Sequence, residues 1–453
     1  PMKYFGTNGI RGIANNGLDS CFSVIAGRAI ASVLGPGPIA MACDPRVSSD
    51  MISSAVRSGI LSMGVDVLDL GMVPTPALQL YVRESGATGG VMITASHNPP
   101  EFNGIKCISA DGTECPPEEE ERIEDLIDNP PELPSWESVG RCRTVSDAAD
   151  RYISSIVSSV DADAIRSAGL VVCLDCSNGA GCATAPEILR RLGVRAIALN
   201  SDPQGMFPGH PSEPVRENLK DLMSLVAETG ADLGMAHDGD ADRCVFIADG
   251  GEYVDGNIAL AVFSRDILRR NGGGTVVTPV ATSMAVDDVV GEENGTIIHT
   301  AVGSPVVARA MMETGALFGG EENGGLIFAE HQYCRDGGYA IARMLQLVAE
   351  SGPLSELAAS VPGYTMIKKA VVCPDRFKKA ALEMVMERVS GEIDTTDGLR
   401  IDLPEGWVIL RPSGTEPKFR IYAESRSPEM AERLSEEYLA ILENAIATLE
   451  GSE

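Results

Sequence analysis

The sequence predicts an α/β protein made of three related units, followed by a smaller α+β domain. Strand-like and helix-like segments alternate as far as Pro362, a pattern typical of parallel strands joined by crossover helices. The strand-then-helix pattern restarts near residues 169 and 273, which indicates a weak internal repeat. The chain has 453 residues, more than one hydrophobic core usually covers, so several domains are expected.

In the first unit, helices and strands follow one another closely. Apolar spacing predicts helices over 22–34 and 54–64 and strands over 37–46, 65–71 and 89–96. The acidic run over 118–127 comes directly after two prolines and indicates the solvated start of another helix. We place the domain boundaries at 1–145, 146–250, 251–362 and 363–453.

The last domain has a different pattern. Residues 406–425 predict two strands around a turn, because Phe419, Ile421 and Ala423 alternate with polar neighbours. Ser427 is typical of a helix N-cap, and Pro428 suits the first helical position that follows it. A small α+β domain is therefore expected at the carboxyl end.

The composition limits the classes of partner. A formal net charge of −29 repels nucleic acid and anionic lipid, so neither is expected as a partner. No apolar run reaches the roughly 18 residues that a membrane span needs. Eleven cysteines scattered through apolar stretches favour buried thiols in a reducing compartment, and we expect a cytoplasmic protein.

The segment "HDGDADR" at 237–243 predicts a metal site. Asp238, Asp240 and Asp242 alternate on a short segment between apolar strands, so their side chains can converge. Oxygen ligands favour magnesium or calcium. A calcium loop of the EF-hand type needs glycine where Arg243 stands, so Mg²⁺ beside an anionic ligand is the interpretation we adopt. A solvated acidic turn is the alternative.

The segment "RPSGTEPKFR" at 411–420 predicts a phosphate site. Ser413, Gly414 and Thr415 offer hydroxyls and backbone N–H groups in a turn, and Arg411 and Arg420 flank them. Such donors and fork-shaped guanidinium groups suit a phosphate dianion. An ordinary hairpin turn is the alternative.

Three glycine-rich segments add weaker candidates. Arg11 lies in "FGTNGIRG", and Lys106 follows Ser96 closely enough to return to the same pocket. Glu321 and Asn323 lie between glycines in "GGEENGG", where a carboxylate and an amide could bind vicinal sugar hydroxyls. A plain loop fits this last segment as well.

Ser96 follows a buried strand in "VMITASHNPP", and two prolines prevent a helix from following. In extended backbone the side chain of His97 would point away from the Ser96 hydroxyl, so a hydrolase triad is not indicated. A serine that carries a phosphoryl group needs no triad. Three carboxylates and an oxygen of phosphorylated Ser96 would then share Mg²⁺.

These segments, in this order, resemble the α-D-phosphohexomutase family over essentially the whole chain. The motifs are "FGTNGIRG", "TASHNPPEFNGIK", "DGDADR", "GEENGG" and "RPSGTEPKFRIY", and their form is most similar to archaeal phosphoglucosamine mutases and phosphomannomutase/phosphoglucomutases. The resemblance implies three related mixed-sheet α/β domains and a C-terminal α+β domain around a central cleft. It also implies a monomer, and we expect a monomer or a weak homodimer.

The resemblance assigns roles to the candidate residues. It implies that Ser96 is the phosphorylated serine and that Asp238, Asp240 and Asp242 bind Mg²⁺. It places Arg11, Lys106 and Arg243 at the reacting end, where Lys106 or His97 transfers protons. The other implied substrate ligands are Glu321 and Asn323 for the sugar hydroxyls, and Arg411, Ser413, Gly414, Thr415 and Arg420 for the distal phosphate. Many relatives have Ser and His in place of Asn323 and Gly325, so His331 could contribute instead.

The implied reaction interconverts a hexose 6-phosphate and a hexose 1-phosphate through a hexose 1,6-bisphosphate. We expect glucosamine 6-phosphate as the substrate, with mannose and glucose phosphates as alternatives. Two other classes stay open: a metal-dependent sugar phosphatase, which would admit water to the phosphoserine, and a sugar-phosphate sensor without turnover.

Overall fold

The computed structural model of the protein describes residues 2–6, 8–414 and 416–451. Its strands form four sheets that follow one another along the chain. The first three are mixed sheets with helices and the fourth is antiparallel, so the predicted fold class is confirmed. Within the described ranges, no helix is both long enough and apolar enough to span a bilayer.

The first sheet has seven strands in the order β2-β1-β6-β5-β3-β4-β7. Its strands are β1 Ile10–Ala14, β2 Gly17–Leu18, β3 Ile39–Cys43, β4 Val67–Met72, β5 Gly89–Ile93, β6 Phe102–Ser109 and β7 Cys142–Thr144. Its helices are α1 Ser20–Leu34, α2 Ser49–Ser62, α3 Thr75–Ser85 and α4 Pro117–Asp128. Strands β5, β3 and β4 are parallel, whereas β6 runs antiparallel to β5.

The second sheet has the order β12-β11-β10-β8-β9. The elements are α5 Ala148–Ser158, α6 Ala162–Ala168, β8 Val171–Asp175, α7 Ala185–Arg191, β9 Arg195–Leu199, α8 Lys220–Thr229, β10 Leu233–His237, β11 Cys244–Ala248 and β12 Tyr253–Val254. Here too a parallel pair, β8 and β10, is followed by an antiparallel hairpin, β10 and β11.

The third sheet repeats this plan in the order β14-β13-β15-β16. The elements are α9 Gly256–Asn271, β13 Gly274–Pro279, α10 Met284–Glu292, β14 Gly295–Thr300, α11 Ser304–Thr314, β15 Phe318–Gly320, β16 Leu326–Phe328, α12 Gly337–Ser351 and α13 Leu354–Ala359. Parallel β13 and β15 precede the antiparallel hairpin of β15 and β16, so the predicted repeat is confirmed in three dimensions.

The fourth sheet has the order β17-β21-β20-β19-β18. The elements are β17 Thr365–Val372, α14 Lys378–Met386, β18 Glu392–Asp394, β19 Leu399–Leu403, β20 Gly406–Pro412, β21 Lys418–Ser425 and α15 Pro428–Glu450. The Ser427 side chain accepts a hydrogen bond from the N–H of Met430, which confirms the predicted cap of α15. Phe419, Ile421 and Ala423 are buried on β21, as their alternation predicts.

The buried apolar side chains show how the units are joined. One cluster continues through the first three units, from Leu78 on α3 through Tyr152 on α5 to Phe318 on β15. The C-terminal domain has a separate core, and Trp407 and Ile409 contact Val280 of the third unit. The first three units therefore pack as one continuous body, to which the last domain is attached by a smaller contact.

Candidate active site

One antiparallel hairpin in each sheet carries candidate site residues in its turn. The turns are 94–101 between β5 and β6, 238–243 between β10 and β11, 321–325 between β15 and β16, and 413–417 between β20 and β21. The repeat of the fold therefore places four predicted motifs at equivalent positions, and we name the turns, in this order, the serine, aspartate, sugar and phosphate turns after the roles that the sequence predicts.

The backbone of Ser96 is held in an unusual conformation. Its φ is 51°, in the left-handed region that residues other than glycine seldom adopt. The N–H of Ser96 donates to Thr94 Oγ1 at 2.9 Å, and Arg46 Nη2 donates to the Ser96 carbonyl at 2.7 Å. Arg46 is itself fixed by a buried ion pair with Asp44 at 3.0 Å. The surrounding contacts therefore fix the direction in which Ser96 presents its hydroxyl.

The Ser96 hydroxyl contacts the aspartate turn of the second sheet. It donates to Asp238 Oδ2 at 2.7 Å, and both residues are fully buried. A Cβ atom on Gly239 would lie 2.4 Å from the carbonyl oxygen of Ser96, which is too close for any side chain. The absence of a side chain at position 239 therefore lets the two turns approach.

We expect Gly239→Ala to slow a reaction at Ser96 by on the order of 10²-fold, because the added methyl group must push Ser96 away from Asp238. Gly291→Ala on α10 is the matched control, since nothing lies within 4 Å of a Cβ at that position. Steady-state kinetics and thermal melting of both variants check this prediction. Full activity in Gly239→Ala would contradict the close packing of the turns.

The predicted orientation of His97 is wrong. The left-handed backbone at Ser96 reverses the direction of the next side chain, and His97 Nδ1 lies 3.4 Å from Ser96 Oγ. Burial, together with the positive charges of Arg243 and Arg11, lowers the pKa of His97 to about 2. The imidazole beside Ser96 is therefore neutral.

The three aspartates form a site that suits a divalent cation. One carboxylate oxygen from each of Asp238, Asp240 and Asp242 lies within 4.8 Å of the others. Oδ1 of Asp240 and Oδ1 of Asp242 are buried without a hydrogen-bond partner among the described residues. Buried carboxylate oxygens that lack donors are costly unless a cation binds them, so the donor set fits Mg²⁺.

Lys106 partly compensates the charge of these carboxylates. Its Nζ donates to Asp240 Oδ2 at 2.8 Å and to Asp242 Oδ2 at 3.2 Å. Burial opposes the charge of Lys106, but Asp240 and Asp242 outweigh burial and raise its pKa. Burial, followed by Asp242 and Asp240, raises the pKa of Asp238 well above its ordinary value. Lys106 is therefore an ammonium group that balances part of the charge of Asp240 and Asp242.

Two arginines surround the same centre. Arg11 Nη1 donates to the Asn98 side chain at 2.7 Å, in the turn that carries Ser96. Arg243 Nε lies 3.9 Å from Asp238 Oδ2 and is buried without a hydrogen-bond partner in the described part of the chain. Burial lowers the pKa of Arg11. Both guanidinium groups therefore lie close to the contact between Ser96 and Asp238.

Two backbone N–H groups bind side chains of the sugar turn, one from outside the turn and one from within it. Glu321 Oε1 accepts a hydrogen bond from the N–H of Gly303 at 3.1 Å, and Asn323 Oδ1 accepts from the N–H of Gly325 at 3.0 Å. His331 lies elsewhere: its ring nitrogens contact Asp336 and Ser155 in a buried network. The expectation that His331 could contribute to the sugar turn is therefore wrong.

The phosphate turn is connected to the sugar turn through a chain of hydrogen bonds. Arg411 Nε donates to Asp397 Oδ2 at 2.7 Å, and the same oxygen accepts from the N–H of Val302 at 2.9 Å, next to Gly303. Arg420 lies 3.6 Å from Glu416, and the Ser413 hydroxyl accepts from the N–H of Glu416 at 3.2 Å. Gly414 is exposed, whereas Thr415 lies outside the described residues.

The candidate residues thus form two groups. Ser96, His97, Lys106, Arg11, Arg243 and the three aspartates meet where the first two sheets join. Arg411, Ser413, Gly414 and Arg420 belong to the C-terminal domain, and Arg411 connects through Asp397 and Val302 to the Gly303–Glu321 contact. The first group surrounds the three aspartates, and the second lies in the C-terminal domain.

Comparison with protein families places this arrangement among known enzymes. Models of the phosphoglucomutase/phosphomannomutase family match the chain as α/β/α domain I at 2–133, domain II at 150–251, domain III at 255–364 and the C-terminal domain at 369–441. The chain belongs to this family. The predicted membership of the α-D-phosphohexomutases is thereby confirmed, and with it an enzyme of the phosphohexose mutase class.

Individual relatives agree along the whole chain. A probable phosphoglucosamine mutase of Methanopyrus kandleri is 43% identical, over 98% of this chain and 98% of its own length. A phosphoglucomutase/phosphomannomutase of Thermococcus kodakarensis is 41% identical, over 98% and 99%. A crystal structure of a family protein from Burkholderia thailandensis matches with a TM-score of 0.87 at 27% identity, covering 98% of each chain.

Two further residues contact the aspartates, and the sequence did not predict either of them. Thr75 Oγ1 donates to Asp240 Oδ2 at 2.5 Å, and Arg335 Nη2 donates to Asp242 Oδ2 at 2.5 Å. Thr75 begins α3 in the first unit, and Arg335 precedes α12 in the third, so each contact joins distant parts of the chain. No local spacing in the sequence connects either residue with the aspartates.

Proposed function

We propose that the protein is a Mg²⁺-dependent phosphohexose mutase that stores a phosphoryl group on Ser96 and prefers glucosamine 6-phosphate. The observation that carries the proposal is the buried 2.7 Å contact between the Ser96 hydroxyl and Asp238. In this contact a serine oxygen lies at a carboxylate cluster that fits a cation, and four basic side chains lie nearby: Arg11, Lys106, Arg243 and Arg335.

In the first half-reaction, phospho-Ser96 gives its phosphoryl group to a hydroxyl of the bound hexose phosphate. The P–O bond to Ser96 breaks and a P–O bond to the sugar forms, while the sugar hydroxyl loses its proton and the Ser96 oxygen takes one up. The product is a hexose 1,6-bisphosphate. After this intermediate turns end for end, its other phosphoryl group returns to Ser96, the Ser96 hydroxyl loses its proton, and the sugar oxygen takes up a proton.

His97 and Lys106 are the groups that we assign to these proton transfers. The neutral imidazole of His97 accepts a proton, and the ammonium of Lys106 donates one. His97 is a weak base, but it suffices for this transfer. Phosphoryl transfer passes through a loose transition state, and the attacking hydroxyl needs to lose little of its proton before that state is reached. Arg11 and Arg243 hold the phosphoryl group that is being transferred.

Asp238, Asp240 and Asp242 would hold Mg²⁺, together with an oxygen of phosphorylated Ser96. When bound, the ion supplies charge neutralisation to the phosphoryl group, so that an oxygen nucleophile can approach it. In its absence Lys106 and Arg335 balance part of the carboxylate charge. The other groups that act in the proposed reaction are side chains of the protein.

The other end of the substrate requires a second anion site. We assign the distal phosphate to Arg411, Ser413, Gly414, Thr415 and Arg420, and the sugar hydroxyls to Glu321 and Asn323. The chain of contacts from Arg411 through Asp397 and Val302 to Gly303, whose N–H binds Glu321, supports this assignment because it connects the two ends of the proposed site. A site with two distinct ends suits an intermediate that must bind in both orientations.

We expect Arg420→Ala to lower kcat/KM by on the order of 10²-fold, because a charge-assisted contact with the distal phosphate is lost. Folding should be unaffected, since Arg420 is 42% exposed and its ion partner Glu416 is 3.6 Å away. Arg433→Ala, which removes another exposed arginine of the same domain on α15, is the matched control. Equal kinetics of the two variants would remove Arg420 from the site.

The preference for glucosamine is supported by the relative that is 43% identical and called a probable phosphoglucosamine mutase. The relative called a phosphoglucomutase/phosphomannomutase, at 41%, supports mannose and glucose phosphates as alternatives. Parallel kcat/KM measurements on glucosamine, mannose and glucose 6-phosphates test the preference. Free phosphate released faster than isomer would instead indicate a phosphatase, and binding without turnover a sensor.

Three further expectations stay proposals. We propose domain boundaries at 145, 250 and 362, a monomeric or weakly dimeric state, and a cytoplasmic location. Light scattering over a range of protein concentrations tests the second of these.

A further inference from the structure

Arg335 contacts two of the functional turns at once. It lies in the loop between β16 and α12, and only 6% of its surface is exposed. Its Nη2 donates to Asp242 Oδ2 at 2.5 Å, and its Nη1 lies 3.9 Å from Glu321 Oε2. One guanidinium group thereby joins the aspartate turn of the second sheet to the sugar turn of the third.

Gly325 makes room for this side chain. A Cβ atom at position 325 would lie 2.3 Å from Arg335 Cδ and 3.0 Å from Asn323 Oδ1. The stem of Arg335 therefore crosses the sugar turn where residue 325 has no side chain. Any larger residue there would displace Arg335, Asn323 or both.

The contact with Asp242 decides which carboxylate oxygen faces the cation position. Oδ2 of Asp242 is bound by Arg335 and also by Lys106 at 3.2 Å. Oδ1 is buried and has no hydrogen-bond partner among the residues that the structure describes. With Oδ2 held from two sides, the carboxylate cannot rotate freely, and Oδ1 is the oxygen left for a metal ion.

We infer that Arg335 is a positioning residue of the mutase site, which orients Asp242 toward the cation and holds the Glu321 carboxylate at the sugar end. The inference rests on the proposed function and adds to it a residue that links cation binding with sugar binding. The planar guanidinium group of Arg335 suits this role, because it can bind two carboxylates in fixed directions.

Arg335→Lys tests orientation separately from charge. Lysine keeps the positive charge but offers a single ammonium, which cannot hold both carboxylates. We expect a roughly 10-fold weaker affinity for Mn²⁺, since residues that orient metal ligands typically contribute 10- to 100-fold. We also expect KM for the hexose phosphate to rise several-fold. The Mn²⁺ affinity is measured on the full-length protein by electron paramagnetic resonance, without substrate.

Arg343→Lys is the matched control. Arg343 lies on α12, away from the functional turns, and is about equally buried, at 5% exposure. It forms an ion pair with Asp266 of α9 at 2.9 Å. A purely structural role for Arg335 predicts that both lysine variants lower the melting temperature and leave the Mn²⁺ affinity unchanged. A positioning role predicts that only Arg335→Lys weakens Mn²⁺ binding.

Gly325→Ala provides a second route to the same test, including the case in which Arg335→Lys does not fold. It displaces Arg335 without changing any charge, so weaker Mn²⁺ binding and a higher KM are expected again. Wild-type Mn²⁺ affinity in the folded variants would overturn the inference. Because this titration needs no turnover, a wild-type protein that forms no isomer would refute the proposed function separately.

Discussion

Ser96→Ala is expected to abolish the conversion of hexose 6-phosphate to hexose 1-phosphate, a loss of roughly 10⁴-fold or more, because alanine cannot carry the phosphoryl group. The protein should still fold, since the hydroxyl has one strong side-chain hydrogen bond, to Asp238, whose loss costs about 1 kcal/mol. Intact-mass spectrometry should show one phosphoryl group fewer than in phosphorylated wild-type protein.

Ser54→Ala is the control for this experiment. Ser54 is an exposed serine on α2, and its replacement should change neither the phosphoryl content nor the turnover. Substantial turnover by Ser96→Ala, with Ser54→Ala at wild-type rate, would mean that another group carries the phosphoryl.

Asp238→Asn is expected to reduce turnover by on the order of 10³-fold and to weaken Mg²⁺ binding by at least 10-fold, because a ligand charge is lost beside the reacting oxygen. The same change should raise the melting temperature in the absence of metal. Burial and the carboxylates of Asp242 and Asp240 raise the pKa of Asp238, so its ionised form destabilises the folded state at neutral pH. A neutral amide removes that repulsion.

Asp163→Asn is the matched control for Asp238→Asn, since Asp163 is 93% exposed on α6 and forms an ion pair with Arg166 at the surface. It should leave activity, Mg²⁺ binding and the melting temperature unchanged. If Asp238→Asn instead lost stability and kept its affinity for Mg²⁺, the carboxylate would be structural rather than a ligand.

The sequence predicted what local chemistry determines. The cap of α15 by Ser427, the alternation on β21 and the convergence of the aspartates all follow from spacing within one segment. Each functional motif also lies within one short segment of the chain, so the sequence could identify it before the fold was known.

The features that the sequence does not predict depend on the sign of a backbone φ angle or on contacts between distant parts of the chain. The orientation of His97 was wrong because the positive φ of Ser96 is imposed by Thr94 and Arg46, not by residue type. Arg335 was missed because its partner Asp242 lies 93 positions earlier in the chain. That contact exists only because the second and third units share one continuous core.

Rapid-quench transfer of a labelled phosphoryl group from Ser96 tests the central claim most directly. Enzyme carrying ³²P on Ser96 is mixed with glucosamine 6-phosphate and Mg²⁺, and the products are separated over time. The account predicts that the label passes first into the hexose bisphosphate and then into hexose monophosphate, with little free phosphate. Label that stays on the protein while isomer forms, or that leaves only as inorganic phosphate, would contradict it.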